Sequence, residues 1–168
     1  MFEITSCTNE NIIISAISIF PFGPFIKPIF LNEPVRVYYP KLNRNLIGTD
    51  NRKKVVIYQW TNLINGDIFI GSASTGSTRL LSYFNPRLRN LPIYNSFKKY
   101  GHNNFCLAIL ENLGSLQQIS KKFILEREQY YLDILFKNYS DRKLNLSPTA
   151  GTTLGFKQNS FFCLYFIL

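Results

Sequence analysis

The chain has 168 residues, 46% hydrophobic and 17% charged, which is enough for one domain with a sizeable core and too apolar for disorder throughout. Its formal net charge is +9, and the whole excess falls on residues 51–168, because residues 1–50 carry four basic and four acidic side chains. A basic segment interleaved with Tyr, Phe and Arg is the footprint of a phosphate-backbone binder, with a solvated basic surface as the bland alternative.

Residues 1–52 are expected to be a loosely ordered leader, or an exon or intron extension read in frame. The apolar run Ile12–Phe20 is interrupted at once by Pro21, Gly23, Pro24, Lys27 and Pro28, so a continuous spanning helix does not fit there. A Met-Phe-Glu start lacks the positive charge of a secretory signal. Residues 34–51 are polar and turn-rich.

Val55–Ala73 carries the strongest local signal: two β-branched and aromatic runs joined across Asn65-Gly66, which predicts a β-hairpin. With Asn65 and Gly66 as the two turn residues, Asn62 pairs with Phe69, Trp60 with Gly71 and Tyr58 with Ala73. Tyr58, Trp60, Phe69, Gly71 and Ala73 then share one face, and Ile57, Leu63, Ile68 and Ile70 the other. The second face is aliphatic core. The first places a phenol beside two very small residues, leaving room for something large to approach.

Beyond the hairpin, residues 75–78 supply helix-start chemistry, and RLLSYF (79–84) follows as a short helix stopped by Asn85-Pro86. Residues 87–101 read as a basic connector and a second helix, from Pro92 to a stop at Gly101. Arg87, Arg89, Lys98 and Lys99 are the candidate phosphate contacts here. NFCLAILEN (104–112) alternates as a third strand. Residues 115–136 hold the longest helical pattern, with Lys122, Glu126, Gln129 and Asp133 in one polar sector. Glu128 falls instead among Ile124, Leu132 and Leu135. A carboxylate on that side is costly unless it is paired or binds a cation, or unless the helix is rotated to give a surface pair with Lys121.

Cys7, Cys106 and Cys163 are scattered without a CxxC pair, and His102 is the only histidine. That pattern argues against Cys/His zinc sites, multi-histidine nuclease motifs and, unless His102 is the base, a Ser-His-Asp triad. Scattered thiols suit a reducing compartment.

The tripeptides VIY (56–58) and FIG (69–71), with trailing Ser72 and Ala73, resemble the signature of the GIY-YIG nuclease family, in particular its intron-encoded (group I intron) homing endonucleases. Further elements follow in the family order. Arg79 matches the catalytic arginine, and Glu128 in REQYY (127–131) matches the catalytic glutamate. Asn145 matches the asparagine after the long helix, and Lys99–Leu110 matches the KYG turn and following strand. The resemblance covers residues 34–157.

It implies an α+β fold in which a small three-stranded antiparallel sheet is flanked by helices. The implied domains are a leader (1–52), a nuclease domain (53–148) and a truncated tail (149–168) where DNA-binding modules would usually begin. The implied activity is metal-dependent hydrolysis of double-stranded DNA. Tyr58, Phe69, Arg79, Glu128 and Asn145 would be the catalytic set, and Glu128 would hold Mg²⁺ or another divalent cation. Two departures stand out. Phe69 replaces the second signature tyrosine, and Tyr83 stands where some relatives carry a histidine. Intron RNA is a further expected partner, with no membrane association and a monomeric state. The alternatives are a relic that binds nucleic acid without cutting and a basic RNA-binding splicing helper. Usage heavy in Phe, Tyr, Ile, Asn and Lys, whose codons are A/T-rich, points with the resemblance to a fungal mitochondrion. The apolar end NSFFCLYFIL looks like read-through or a truncated frame.

Overall fold

A computed structural model describes residues 26–85 and 91–151; Arg87, Arg89, the leader before residue 26 and the apolar end lie outside the described residues. The chain folds as β1 (Arg36–Tyr38), α1 (Pro40–Asp50), β2 (Lys54–Asn62), β3 (Ile68–Ala73), α2 (Gly76–Ser82), α3 (Pro92–Tyr100), β4 (Phe105–Ser115) and α4 (Lys121–Asn138). All strand pairs are antiparallel, in the order β1-β4-β2-β3. The fold is thus α+β as expected, but the sheet has four strands and not three.

The added strand comes from the segment expected as leader. Three residues carry too weak an alternation to read as a strand. Arg36–Tyr38 is nevertheless held against β4 by pairing with Ile109, Ala108 and Leu107. Tyr38 and, from α1, Ile47 are buried. The preceding strap, residues 26–35, crosses the sheet. Its ties are Ile26 N–H to Leu63 C=O at 2.8 Å and Val35 N–H to Ile109 C=O at 2.8 Å. Buried Gln59 holds it midway, donating to Ile29 C=O at 2.6 Å and accepting from Leu31 N–H at 3.1 Å. The packed unit therefore extends upstream of residue 53.

β2 is buried along nearly its whole length, as befits a central strand. Its hairpin register differs from the one expected: Trp60 pairs with Phe69 and Tyr58 with Gly71. The shift is two residues, so the faces survive while the loop lengthens. A two-residue type I′ turn needs positive φ at both centres, and only Gly66 (φ 77°) has it. Asn65 instead turns its side chain onto Asp67, accepting from the Asp67 N–H at 3.1 Å, and Asn62 Oδ1 accepts from Ile64 N–H at 2.9 Å.

The two faces make two cores. Val56, Tyr58, Trp60, Leu107 and Ile109 pack under α1, α2 and α3 through Ile47, Leu80, Tyr83, Ile93 and Phe97. Val55, Ile57, Ile68, Ile70 and Leu110 pack under α4 and the strap. The first face is therefore covered and not open. The space beside Gly71 is filled by the Tyr58 phenol itself. Burying these side chains contributes roughly 1.5–3 kcal/mol each. α4 begins at Lys121, six residues after the expected start, where Ser120 Oγ accepts from Phe123 N–H at 3.2 Å.

Candidate functional site at the free edge of the sheet

The edge strand β3 positions the site. Phe69 and Gly71 face the Tyr58 side and Ile70 and Ser72 the α4 side, so a cleft wrapped around this edge draws on both faces. About 260 Å³ in volume, it is lined by Tyr58, Phe69, Gly71, Ser72, Arg79, Glu128 and Asn145, with an apolar lip that includes Leu91, Leu144 and Leu146. All five candidate catalytic residues meet there. Lys98 and Lys99 do not; they are exposed on the last turn of α3.

Among the described residues β3 has no strand partner on its outer side, yet the outward peptide groups of Ile68 and Ile70 are satisfied in turn. Ile68 N–H donates to Arg142 C=O and Ile68 C=O accepts from Leu144 N–H, both at 2.7 Å. Two residues on, the Asn145 side chain replaces a backbone: its Oδ1 accepts from Ile70 N–H and its Nδ2 donates to Ile70 C=O, both at 2.8 Å. Two residues further, Ser72 Oγ donates to Glu128 Oε2 at 2.8 Å. Asn145 and Glu128 are thus held by the edge strand itself.

Glu128 is half-buried on the inward side of α4, and its partner is Ser72, not Lys121, which is exposed. Burial raises its carboxyl above the usual range, against the opposing pull of the Ser72 hydrogen bonds and the Arg79 charge.

On the other face Tyr58 is fully buried, with its Oη 2.8 Å from Tyr83 Oη. Burial raises the Tyr58 pKa, while the Arg79 charge and the Tyr83 hydrogen bond act to lower it. Tyr83 is pushed well above the phenol range, first by burial and then by Tyr58. Arg79, from α2, lies with its Cζ 5.0 Å from the Tyr83 ring centroid, one turn before it on the helix. The Phe69 ring meets Tyr83 edge-on at 6.1 Å. His102 is not in the cleft lining; it stacks on Phe97 at 4.5 Å and bonds Tyr83 C=O through Nε2 at 2.9 Å.

Reading the sequence did not place Ser72, Ser147 and Thr149 in the cleft, nor Tyr83 behind it on the Tyr58 hydroxyl. Tyr83 sits four residues after Arg79, a spacing that puts both on one helix face. Ser72 gives no such signal, because its partner lies 56 residues away.

No protein-family model matches the chain. Over 102 residues it is 29% identical to Probable intron-encoded endonuclease 1 of Neurospora crassa, a match covering 60% of this chain and 33% of that protein. The chain thus spans about a third of that relative's length. Among solved structures, the catalytic domain of homing endonuclease I-TevI is 26% identical with a TM-score of 0.44, covering 54% of this chain and 97% of that domain. A mutant of the same catalytic domain gives 26% identity, a TM-score of 0.46, and coverage of 58% and 97%.

Proposed function

We propose that this chain is the nuclease module of an intron-encoded DNA endonuclease of the GIY-YIG type, acting by hydrolysis of a phosphodiester bond. The observation that carries the reading is the convergence of Tyr58, Arg79, Glu128 and Asn145, drawn from four separate segments, in one cleft around the edge of β3. Hydrolysis needs an oriented water, compensation of charge at the phosphate and stabilisation of the leaving oxygen. The Tyr58 hydroxyl, with Arg79 and Tyr83 beside it, orients the water; to act as base it would first have to lose its own proton, which the Arg79 charge favours and burial opposes. The Arg79 guanidinium supplies a planar fork of donors to the phosphate oxygens as charge develops. Asn145 braces the cleft through Ile70.

Glu128 would hold Mg²⁺ or another hard cation. Among the described residues no three His, Cys, Asp or Glu side chains gather into a cage. One inward carboxylate fits a cation that takes most of its ligands from water and substrate phosphate. Such a cation, when bound, supplies Lewis-acid stabilisation of charge on the phosphate and leaving oxygen.

The substrate of this reading is double-stranded DNA, engaged by a monomer, with Lys98, Lys99, Arg87 and Arg89 as phosphate contacts. The A/T-rich codon usage and the fungal relative support a mitochondrial group I intron as the source. A second reading, a relic or splicing helper that binds DNA or intron RNA without cutting, is favoured by Phe69, which brings no hydroxyl to the cleft. The test is nicking of supercoiled plasmid with Mg²⁺, wild type beside Arg79→Ala. Nicking lost in Arg79→Ala supports the enzyme; no nicking by wild type with salt-sensitive binding retained favours the second reading.

A further inference from the structure

Glu128 reaches the cleft from α4 as a half-buried carboxylate on a side chain with three rotatable bonds, so something must fix where it points. No ion pair does so among the described residues. We propose that Ser72 is a positioning residue for the proposed reaction, its hydroxyl holding the Glu128 carboxylate turned into the cleft where phosphate and cation are bound.

Two features carry this. The Ser72 Oγ to Glu128 Oε2 distance is 2.8 Å, a good length for a hydroxyl on a carboxylate. Ser72 sits on a strand, directly after the glycine that faces Tyr58, so its Cβ cannot drift. A side chain held by a donor on a rigid strand loses freedom before substrate arrives, the arrangement that preorganises a ligand or a charge. Alanine at 72 removes that donor and leaves the carboxylate free to rotate, whereas threonine restores the hydroxyl on a backbone that favours β-branching.

The proposal rests on the endonuclease reading, so its experiment has two readouts. Wild type, Ser72→Ala and Ser72→Thr are compared for Mn²⁺ binding without DNA, counting free Mn²⁺ by its electron paramagnetic resonance signal, and for single-turnover nicking. Far-UV circular dichroism and melting verify that each is folded. Loss of a partner that orients a metal-ligating group typically costs about 10–100-fold, so Ser72→Ala should lose at least about tenfold in both readouts. Ser72→Thr should recover most of the loss, and DNA binding in EDTA should not change. Wild type that binds Mn²⁺ and nicks, with a folded Ser72→Ala equal to it, overturns the role of Ser72 alone. A Ser72→Thr as impaired as Ser72→Ala also overturns it. Wild type that neither binds Mn²⁺ nor nicks overturns the endonuclease reading, and this proposal with it.

Discussion

Replacing Gly71 by alanine adds one methyl group and should damage both stability and cutting. A Cβ at this position would stand 2.6 Å from Tyr58 Oη, 2.8 Å from its Cζ and 3.2 Å from its Cε2. Gly71 has no positive φ, so the effect is steric and owes nothing to backbone strain. The phenol has little freedom to yield: its Oη lies 2.8 Å from Tyr83 Oη, and its ring meets the Tyr83 ring edge-on at 6.0 Å. Overpacking of this kind costs about 1–3 kcal/mol. The stiffer unfolded chain returns about 0.4–1 kcal/mol of that. A net loss of about 1–2 kcal/mol follows, which at roughly 4 °C per kcal/mol is a fall of several degrees in melting temperature. Cutting should suffer more than stability, since a displacement of about 1 Å in a reacting group can cost 10²-fold. The assays are thermal melting and single-turnover nicking, with Tyr58→Phe in parallel. Without the hydroxyl one of the two closest contacts disappears, so the alanine should cost less stability in that background. Gly71→Ala indistinguishable from wild type in both assays would refute the claim that this glycine makes room for the phenol.

Glu128→Gln should abolish nicking, leave DNA binding intact and raise stability in EDTA. Burial lifts the Glu128 carboxyl above its usual range, so its contribution to stability is full below the unfolded pKa and lost as pH rises through the folded one. The mutant should therefore melt higher than wild type at about pH 8 and lose that advantage towards about pH 4, and a melting temperature unaffected at both values would sink this account. Phe69→Tyr should raise the nicking rate at least roughly tenfold, the low end of what one hydrogen bond to a charged group is worth, without tightening DNA binding; an unchanged rate would mean the hydroxyl is dispensable here. Gln59→Ala strands the Ile29 C=O and Leu31 N–H, each at a cost of about 1–3 kcal/mol if left unsatisfied. Limited proteolysis should then cut within residues 26–35 faster than in wild type, and equal rates would show that Gln59 does not hold the strap.

What the sequence revealed and what it hid follow one physical division. Strand alternation has a period of two, so both hairpin faces were legible even though the register was off by two residues. The slip came from turn chemistry: Asn65-Gly66 looks like a two-residue turn, but Asn65 spends its side chain on Asp67. The short strand Arg36–Tyr38 was hidden because three residues cannot show a pattern, and only β4 gives them a partner. Tyr58 and Glu128 stood out from strand and helix periodicity, whereas Arg79 and Asn145 came only from the family resemblance. Nothing local announced that Ser72 would grip Glu128 or that the Asn145 amide would mimic a strand, since both depend on residues far away in sequence.

That mimicry has a consequence for how the molecule stays apart from its copies. An edge strand with open peptide groups is a template on which another chain can add a strand and begin to aggregate. Here the outer side of β3 is occupied by residues 142–144 beside Ile68, by the Asn145 amide beside Ile70 and by Glu128 beside Ser72. The groups proposed to cut DNA therefore also stopper the sheet. Asn145→Ala would open the Ile70 peptide groups in both directions, turning a change aimed at activity into a loss of solubility. Asn145→Asp keeps an acceptor for Ile70 N–H but sets a carboxylate against its C=O, so it would loosen the same seal.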